Sequence, residues 1–220
     1  MAKQDSTATE LTTIQEEMAA MAETMAAGLK VSSDKISTQN KAFKMPDGTI
    51  LGPSMKAVVL GFAKSHSFYE NEQFDPNNIQ EPICFSDSVG EEEEIPASSV
   101  DKPFAPTCAE CDHNQFGTAQ GGAGKGKRCK EEYRIAIVPE GYSEAVILNI
   151  PPTGIKAFSN TMKSLITSFG MPVKAMCTFE FNPNVQFSQP VIVNAEPNTD
   201  EDTAKYFAMA KEINDMLHRT

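Results

Sequence analysis

The chain has no tryptophan and only 3 histidines, and its apolar residues never form a long run. Each shortage excludes something. Without tryptophan, any stacking on a flat ring falls to the 13 phenylalanines and 4 tyrosines. The sequence also shows no Asp/Glu pair at metal-binding spacing and no nucleophile beside a base motif, so no enzyme is expected. No apolar stretch approaches the roughly 18 residues that a membrane-crossing helix needs. The opening residues are polar and acidic rather than basic then apolar, which argues against a secretory leader. A soluble, intracellular protein with no membrane partner is expected.

Positive charge is also scarce. The formal net charge is −11 over 220 residues, and a negative field repels phosphate. Distribution matters more than the total, because local clusters decide where a polyanion docks. The acids gather in Glu91, Glu92, Glu93 and Glu94 and again in Asp200, Glu201 and Asp202. Lys125, Lys127, Arg128, Lys130 and Arg134 fall in one short window that carries only Glu131 and Glu132 in opposition.

The 5 cysteines are Cys84, Cys108, Cys111, Cys129 and Cys177. An odd number in a reducing compartment points to metal before disulfides. Cys108-Ala109-Glu110-Cys111 is a knuckle whose two thiolates can meet one ion at about 2.3 Å. Cys129, at the end of a glycine-rich loop, supplies a third ligand. Cys84 is the best fourth, with His113 as its competitor. Four thiolates would make a closed, structural Zn2+ site, with iron as the other metal of that ligand chemistry. Such a site would give residues 84–132 the folding energy that their Gly, Pro and charge deny them. Cys177 alternates within an expected strand and reads as core.

Gly121-Gly122-Ala123-Gly124-Lys125-Gly126-Lys127-Arg128 nearly fits a phosphate-binding P-loop, but Arg128 stands where Ser or Thr should hold magnesium. No buried strand leads into it, and Cys129 stands where a helix should open, so a flexible cationic loop along a phosphate backbone fits better. Aromatic neighbours would add stacking, worth about 1–3 kcal/mol per base on a single strand. The candidates beside basic residues include Phe104, Phe116 and Tyr133.

Along the chain, Leu11, Ile14, Met18, Met21, Met25 and Leu29 form one helical stripe, suited to a homodimer contact or to docking on the rest of the chain. Strands are expected at 42–45, after the 46–49 turn, at 56–62, at 66–69, at 133–138 and 145–150 as a hairpin, and at 176–181 and 189–193. Ile155 to Phe169 reads as a helix stopped by Gly170. Asp200 to Leu217 reads as a terminal helix with acids at its start. This order makes a mainly β chain with added helices (α+β), and suits an OB-like five-stranded barrel. The divisions are a tail and amphipathic helix at 1–31, an OB-like domain at 32–197 with the zinc-binding insertion at 84–132, and a C-terminal helix at 198–220.

Three blocks resemble a known family. They are Pro82-Ile83-Cys84-Phe85-Ser86-Asp87, then Cys108-Ala109-Glu110-Cys111-Asp112-His113-Asn114-Gln115-Phe116-Gly117-Thr118-Ala119, then Gly124-Lys125-Gly126-Lys127-Arg128-Cys129-Lys130. They look like the pattern C-F-S-D, C-A-x-C-x-x-N-x-W-G-S-A, G-K-G-K-A-C-K of bacteriophage single-stranded DNA-binding proteins, and the likeness runs from about Phe43 to Val193. Phe116 replaces the common Trp, Thr118 a Ser and Arg128 an Ala. Many such proteins end in an acidic tail that recruits replication partners; here the run 91–94 is the candidate for that role.

The resemblance implies an OB-like fold interrupted by cysteines. It also implies sequence-tolerant coating of single-stranded DNA in replication, recombination or repair, in the cytoplasm of an infected bacterium, alongside replication or recombination proteins. The expected phosphate contacts are Lys125, Lys127, Arg128, Lys130 and Arg134, with Lys102, Lys156 and Lys56 as weaker ones; Phe104, Phe116 and Tyr133 are the expected stacking rings. The rival is a zinc-stabilised protein-interaction module, an adaptor or host-factor inhibitor without nucleic-acid binding, which the net charge and the Met-rich stripe favour.

Overall fold

A computed structural model describes residues 35–71, 80–86, 94–119, 126–213 and 217. The expected N-terminal helix, Glu91 to Glu93 and Lys125 lie outside the described residues.

The protein is mainly β with two helices. A small hairpin comes first: β1 (Phe43–Lys44) pairs antiparallel with β2 (Ile50–Gly52). Asp47 builds the turn between them by accepting the Thr49 N–H at 2.8 Å, and Gly48 takes the left-handed conformation at φ 94°. The main sheet is antiparallel and follows the order β6-β5-β3-β7-β8, with β4 added to β3. Its members are β3 (Met55–Phe68), β4 (Cys84–Phe85), β5 (Lys130–Pro139), β6 (Val146–Ile150), β7 (Ala175–Phe181) and β8 (Pro190–Pro197).

Two expected strands, at 56–62 and 66–69, are one continuous strand of 14 residues. Ser65, His66 and Ser67 interrupt the apolar pattern, yet all three are buried in that strand. A bulge between Val59 and Gly61 shifts the pleat. Met55, Ala57 and Val59 face one core before it and Phe62 packs on that same core after it, while Val58, Leu60 and Ala63 face another. A bulge of this kind bends and twists a strand.

The first core joins Phe43 of β1, Ile135 and Ile137 of β5, Leu148 and Ile150 of β6, and Cys177 and Phe179 of β7. Helix α1 (Ile155–Phe169) closes it with Phe158, Met162 and Leu165. These side chains recur at helical spacing and turn one face inward. Gly170 ends the helix at φ 83°, its N–H bonded to the Ile166 carbonyl. Phe43 stacks on Phe181 with centroids 4.4 Å apart, and Cys177 is fully buried, as a core residue should be.

The opposite face of the sheet is covered from the C-terminal side. Tyr206 of α2 (Asp200–Ala210), Ile213 and Leu217 pack on Val58, Leu60, Ala136, Val138 and Ile147. The Thr199 hydroxyl caps α2 by accepting the Asp202 N–H at 3.1 Å. Helix α2 ends at Ala210; the chain turns and lays Ile213 against the sheet, and Leu217, which the sequence placed in the same helix, is again helical.

Among the described residues the strand pairing does not close a barrel. It is an open path with β6 and β8 at its two ends. Among the described residues no helix is long and apolar enough to cross a membrane.

Leu148 is completely buried while Ile166 on α1 is 44% exposed. Leu148→Ala should therefore cost about 2–5 kcal/mol of unfolding free energy and Ile166→Ala less than about 1, as read from urea midpoints.

Candidate functional site

Cys84, Cys108, Cys111 and Cys129 line a single cavity of about 20 Å³, together with His66, Phe68, Phe85 and Phe104. Different parts of the chain bring them there. Cys84 belongs to β4, which pairs with the end of β3 through Phe68↔Cys84. Cys129 immediately precedes β5, and its N–H bonds to the His113 carbonyl at 2.8 Å. The knuckle is fastened by the Cys108 N–H to the Glu94 carbonyl at 2.8 Å and by Asn114 Nδ2 to the Cys108 carbonyl at 2.8 Å.

Three of the sulfurs each have a donor directed at them. The Phe104 N–H is directed to Cys84, the Ser86 hydroxyl to Cys108 and the Ser67 N–H to Cys129. Burial nevertheless dominates these thiols. It raises the Cys108 thiol to about 11 and, with the other sulfurs alongside, the Cys129 thiol to about 12. A bound cation reverses this balance, because it favours the thiolate outright. Donors aimed at sulfur stabilise the same ionised form. Among the described residues no group of three or more His, Cys, Asp or Glu side chains is placed to hold a metal ion as it stands.

Of the two rivals for the fourth place, Cys84 lines the cavity. The His113 ring packs on two of the cavity's own rings, 4.4 Å from the Phe68 centroid and 4.7 Å from that of Phe104, without itself lining the cavity.

A chain of charges runs beside the cavity. His66, 2% exposed, holds Glu94 through Nδ1 at 2.6 Å. Lys64 pairs with Glu94 at 2.8 Å and with Glu131 at 3.0 Å, and Lys127 pairs with Glu131 at 3.2 Å. Burial opposes ionisation of Glu94, but hydrogen bonds and charge from His66 and Lys64 outweigh it and hold the carboxyl at about 2. Glu131 is likewise lowered against its burial by Lys64 and Lys127. Glu94 is therefore a structural tie, not a free member of an acidic patch. The sequence reading gave no site role to Lys64, His66 or Ser86, and it placed Glu94 in an acidic run for recruiting partners. The available signal was Lys64-Ser65-His66-Ser67, a polar run inside a strong apolar strand.

The cationic candidates divide sharply. Lys127 Nζ lies 5.0 Å from the Phe116 ring centroid, and that ring is 79% exposed. Lys130 is exposed at the start of β5, 5.4 Å from the Tyr69 ring, and Lys102 is exposed within the cysteine-bearing segment. Phe104 is 48% exposed and packs edge-on against Phe68.

Arg128 was expected at a phosphate, but its burial does not fit that role. It is 7% exposed, lies 4.6 Å over the Phe68 ring and donates from Nη2 to the Glu70 carbonyl at 2.5 Å. Arg134 donates to the Leu217 carbonyl at 2.6 Å, beneath the C-terminal cover. Tyr133, expected to stack on a base, packs on Phe62 and Phe158 at 5.8 and 5.2 Å in the first core. Lys156 is exposed on α1, outside the cysteine segment, and Lys56 pairs with Glu196 at 3.6 Å.

No protein-family model, curated protein or solved structure matches the chain.

Arg128→Ala should lower stability by about 2 kcal/mol, because it removes a part-buried charge-assisted hydrogen bond and the packing of the guanidinium over Phe68. Lys130→Ala, on the surface, should change it by less than about 0.5 kcal/mol. Urea unfolding of the two variants distinguishes a buried strut from a surface charge.

Proposed function

We propose that this protein binds single-stranded DNA without strong sequence preference, through the segment between β3 and β5. A zinc ion held by Cys84, Cys108, Cys111 and Cys129 would fasten that segment. The observation that carries the reading is Phe116, an open ring with a lysine ammonium beside it. A base has a flat face for such a ring and a phosphate for such a cation.

The topology supports the OB-like part of the proposal. An OB fold is a three-strand meander, then a helix, then two strands that continue on the other side of the first. Here β3, β5 and β6 form the meander, α1 comes next, and β7 and β8 extend the sheet beyond β3. Ile150 of β6 and Pro190, Val191 and Ile192 of β8 line one small cavity beside α1, so the two outer strands converge on the helix although they do not pair. On this mapping the cysteine-bearing segment is the loop between the first and second OB strands. Residues 182–189, with Phe187 50% exposed, are the loop between the fourth and fifth. Both loops bind oligonucleotides in OB folds. The outer face of β5 and β6, also used by such folds, is occupied here by Ile213 and Leu217, which shifts contact toward the loops.

Zinc would neutralise thiolate charge and clamp the segment, with no open position for reaction. Lys127, Lys130 and Lys102, with Lys125 from the glycine-rich stretch, supply the phosphate contacts of this reading, and Phe116 and Phe104 the stacking. The phage-type resemblance of the cysteine and Gly-Lys blocks points the same way, toward a protein coating single strands in replication or recombination.

Protein purified without added metal should carry about one zinc per chain, lost in Cys84→Ser and Cys108→Ser but kept in Cys177→Ser and His113→Ala. Labelled oligo-dT should bind with log K falling by about 0.7 per phosphate contact for each tenfold rise in salt. Phe116→Ala should cost about 1–3 kcal/mol of binding. A flat salt response, a preference for duplex, or no binding together with a co-purifying protein would overturn the reading in favour of an interaction module.

A further inference from the structure

The charge chain beside the cysteine cavity contains an anion-binding arrangement that its own residue fills. Glu131 presents its two carboxylate oxygens to two different lysines, Oε1 to Lys64 at 3.0 Å and Oε2 to Lys127 at 3.2 Å. Lys127 also reaches Asn114 Oδ1 at 3.1 Å, and Lys64 reaches Glu94 at 2.8 Å. The lysines come from independent elements: Lys64 from β3 and Lys127 from the stretch before β5.

Such a clamp suits any group that shares one negative charge between two oxygens on one atom. A phosphodiester is such a group. The clamp is not sealed, since the side chains of Lys64, Lys127 and Glu131 keep 34%, 21% and 19% of their exposure. It also adjoins the open Phe116 ring through Lys127. A nucleotide whose base lay on Phe116 would bring its phosphate to the lysine that Glu131 now holds.

We infer that Lys64 and Lys127 form a phosphate-binding site for single-stranded nucleic acid, with the Glu131 carboxylate as a resident surrogate that the incoming phosphate displaces. This rests on the single-strand-binding reading and adds to it a residue, Lys64, and a competitor, Glu131. The surrogate has two effects. It keeps two ammonium groups together while no ligand is bound, and it weakens binding because each phosphate must first evict a carboxylate. Removing the charge of Glu131 therefore strengthens binding instead of weakening it. A purely structural ion pair at this place would not do that.

The test uses the full chain and labelled oligo-dT titrated at several salt concentrations. Glu131→Gln keeps the shape and removes the charge. It should bind about five-fold tighter than the unaltered protein at low salt, with a salt slope steeper by about 0.7 for each lysine released to phosphate. Glu132→Gln makes the same change in net charge on the adjacent residue of β5 and should move affinity by less than about two-fold. Adding Lys64→Gln to Glu131→Gln should abolish the gain. Lys64→Gln alone should make the slope shallower by about 0.7, an arm that holds even if Glu131→Gln folds poorly by thermal unfolding. The inference is overturned if Glu131→Gln binds no tighter than Glu132→Gln, or if Lys64→Gln leaves the slope unchanged. If the unaltered protein and Glu131→Gln both fail to bind oligo-dT, the single-strand reading falls and takes the inference with it; binding with no response to Glu131 sinks the inference alone.

Discussion

The pairing of β3 with β5 is the constraint on which the rest of the molecule depends. The ladder runs from Ala57↔Pro139 at one end to Ser67↔Lys130 at the other. Its first half is apolar on both faces and builds both cores at once, because neighbouring side chains on a pleated strand point to opposite sides. Its second half is polar and delivers the site. His66 lies across from Glu131 in the register, and Cys129 precedes the last pair. A slip of one residue would turn His66 and Lys64 away from Glu94 and Glu131 and break the first core together with the site. Stability and chemistry are thus set by one alignment.

Charge beside the cysteine cavity is organised into ion pairs and not left as a basic patch. Lys64, Lys127 and His66 are gathered with Glu94 and Glu131 into a half-buried group whose charges largely cancel. Side-by-side opposite charges at low exposure interact more strongly than surface pairs, since water screens them less. Exposed Lys130 and Lys102 stand nearby, and Asp101, Glu110 and Asp112 are exposed on the same cysteine-bearing segment. A further group of acids fills the first turn of α2.

Much of the framework was legible in the sequence wherever a pattern was local. Helix α1 begins and ends where its apolar spacing and Gly170 put it. The 133–150 hairpin, the buried Cys177 and the convergence of Cys84 with the knuckle and Cys129 also accord with period and spacing. Failures came where a long-range contact overrode a local signal. Ser65, His66 and Ser67 look like a strand break, but Ser86 answers them with hydrogen bonds to Ser65 and His66 at 3.1 and 3.0 Å. Arg128 looks like a surface cation until Phe68 and the Glu70 carbonyl claim it. Tyr133 looks like a platform until α1 packs over it. The open path of the sheet has a similar reason: strand order is legible from sequence, while whether two distant edges meet is not.

The bulge in β3 has one more consequence. At Gly61, a Cβ would stand 2.7 Å from Ile213 Cδ1 and 3.6 Å from Leu217 Cδ1. The missing side chain is thus a notch, and the C-terminal cover is the tooth that fits it. Two positions separated by most of the chain share one volume, so neither can drift by itself. Among divergent descendants of this chain, a larger residue at 61 should travel with a smaller one at 213, a co-variation that would record the docking of the tail even after the rest of the sequence had changed beyond recognition.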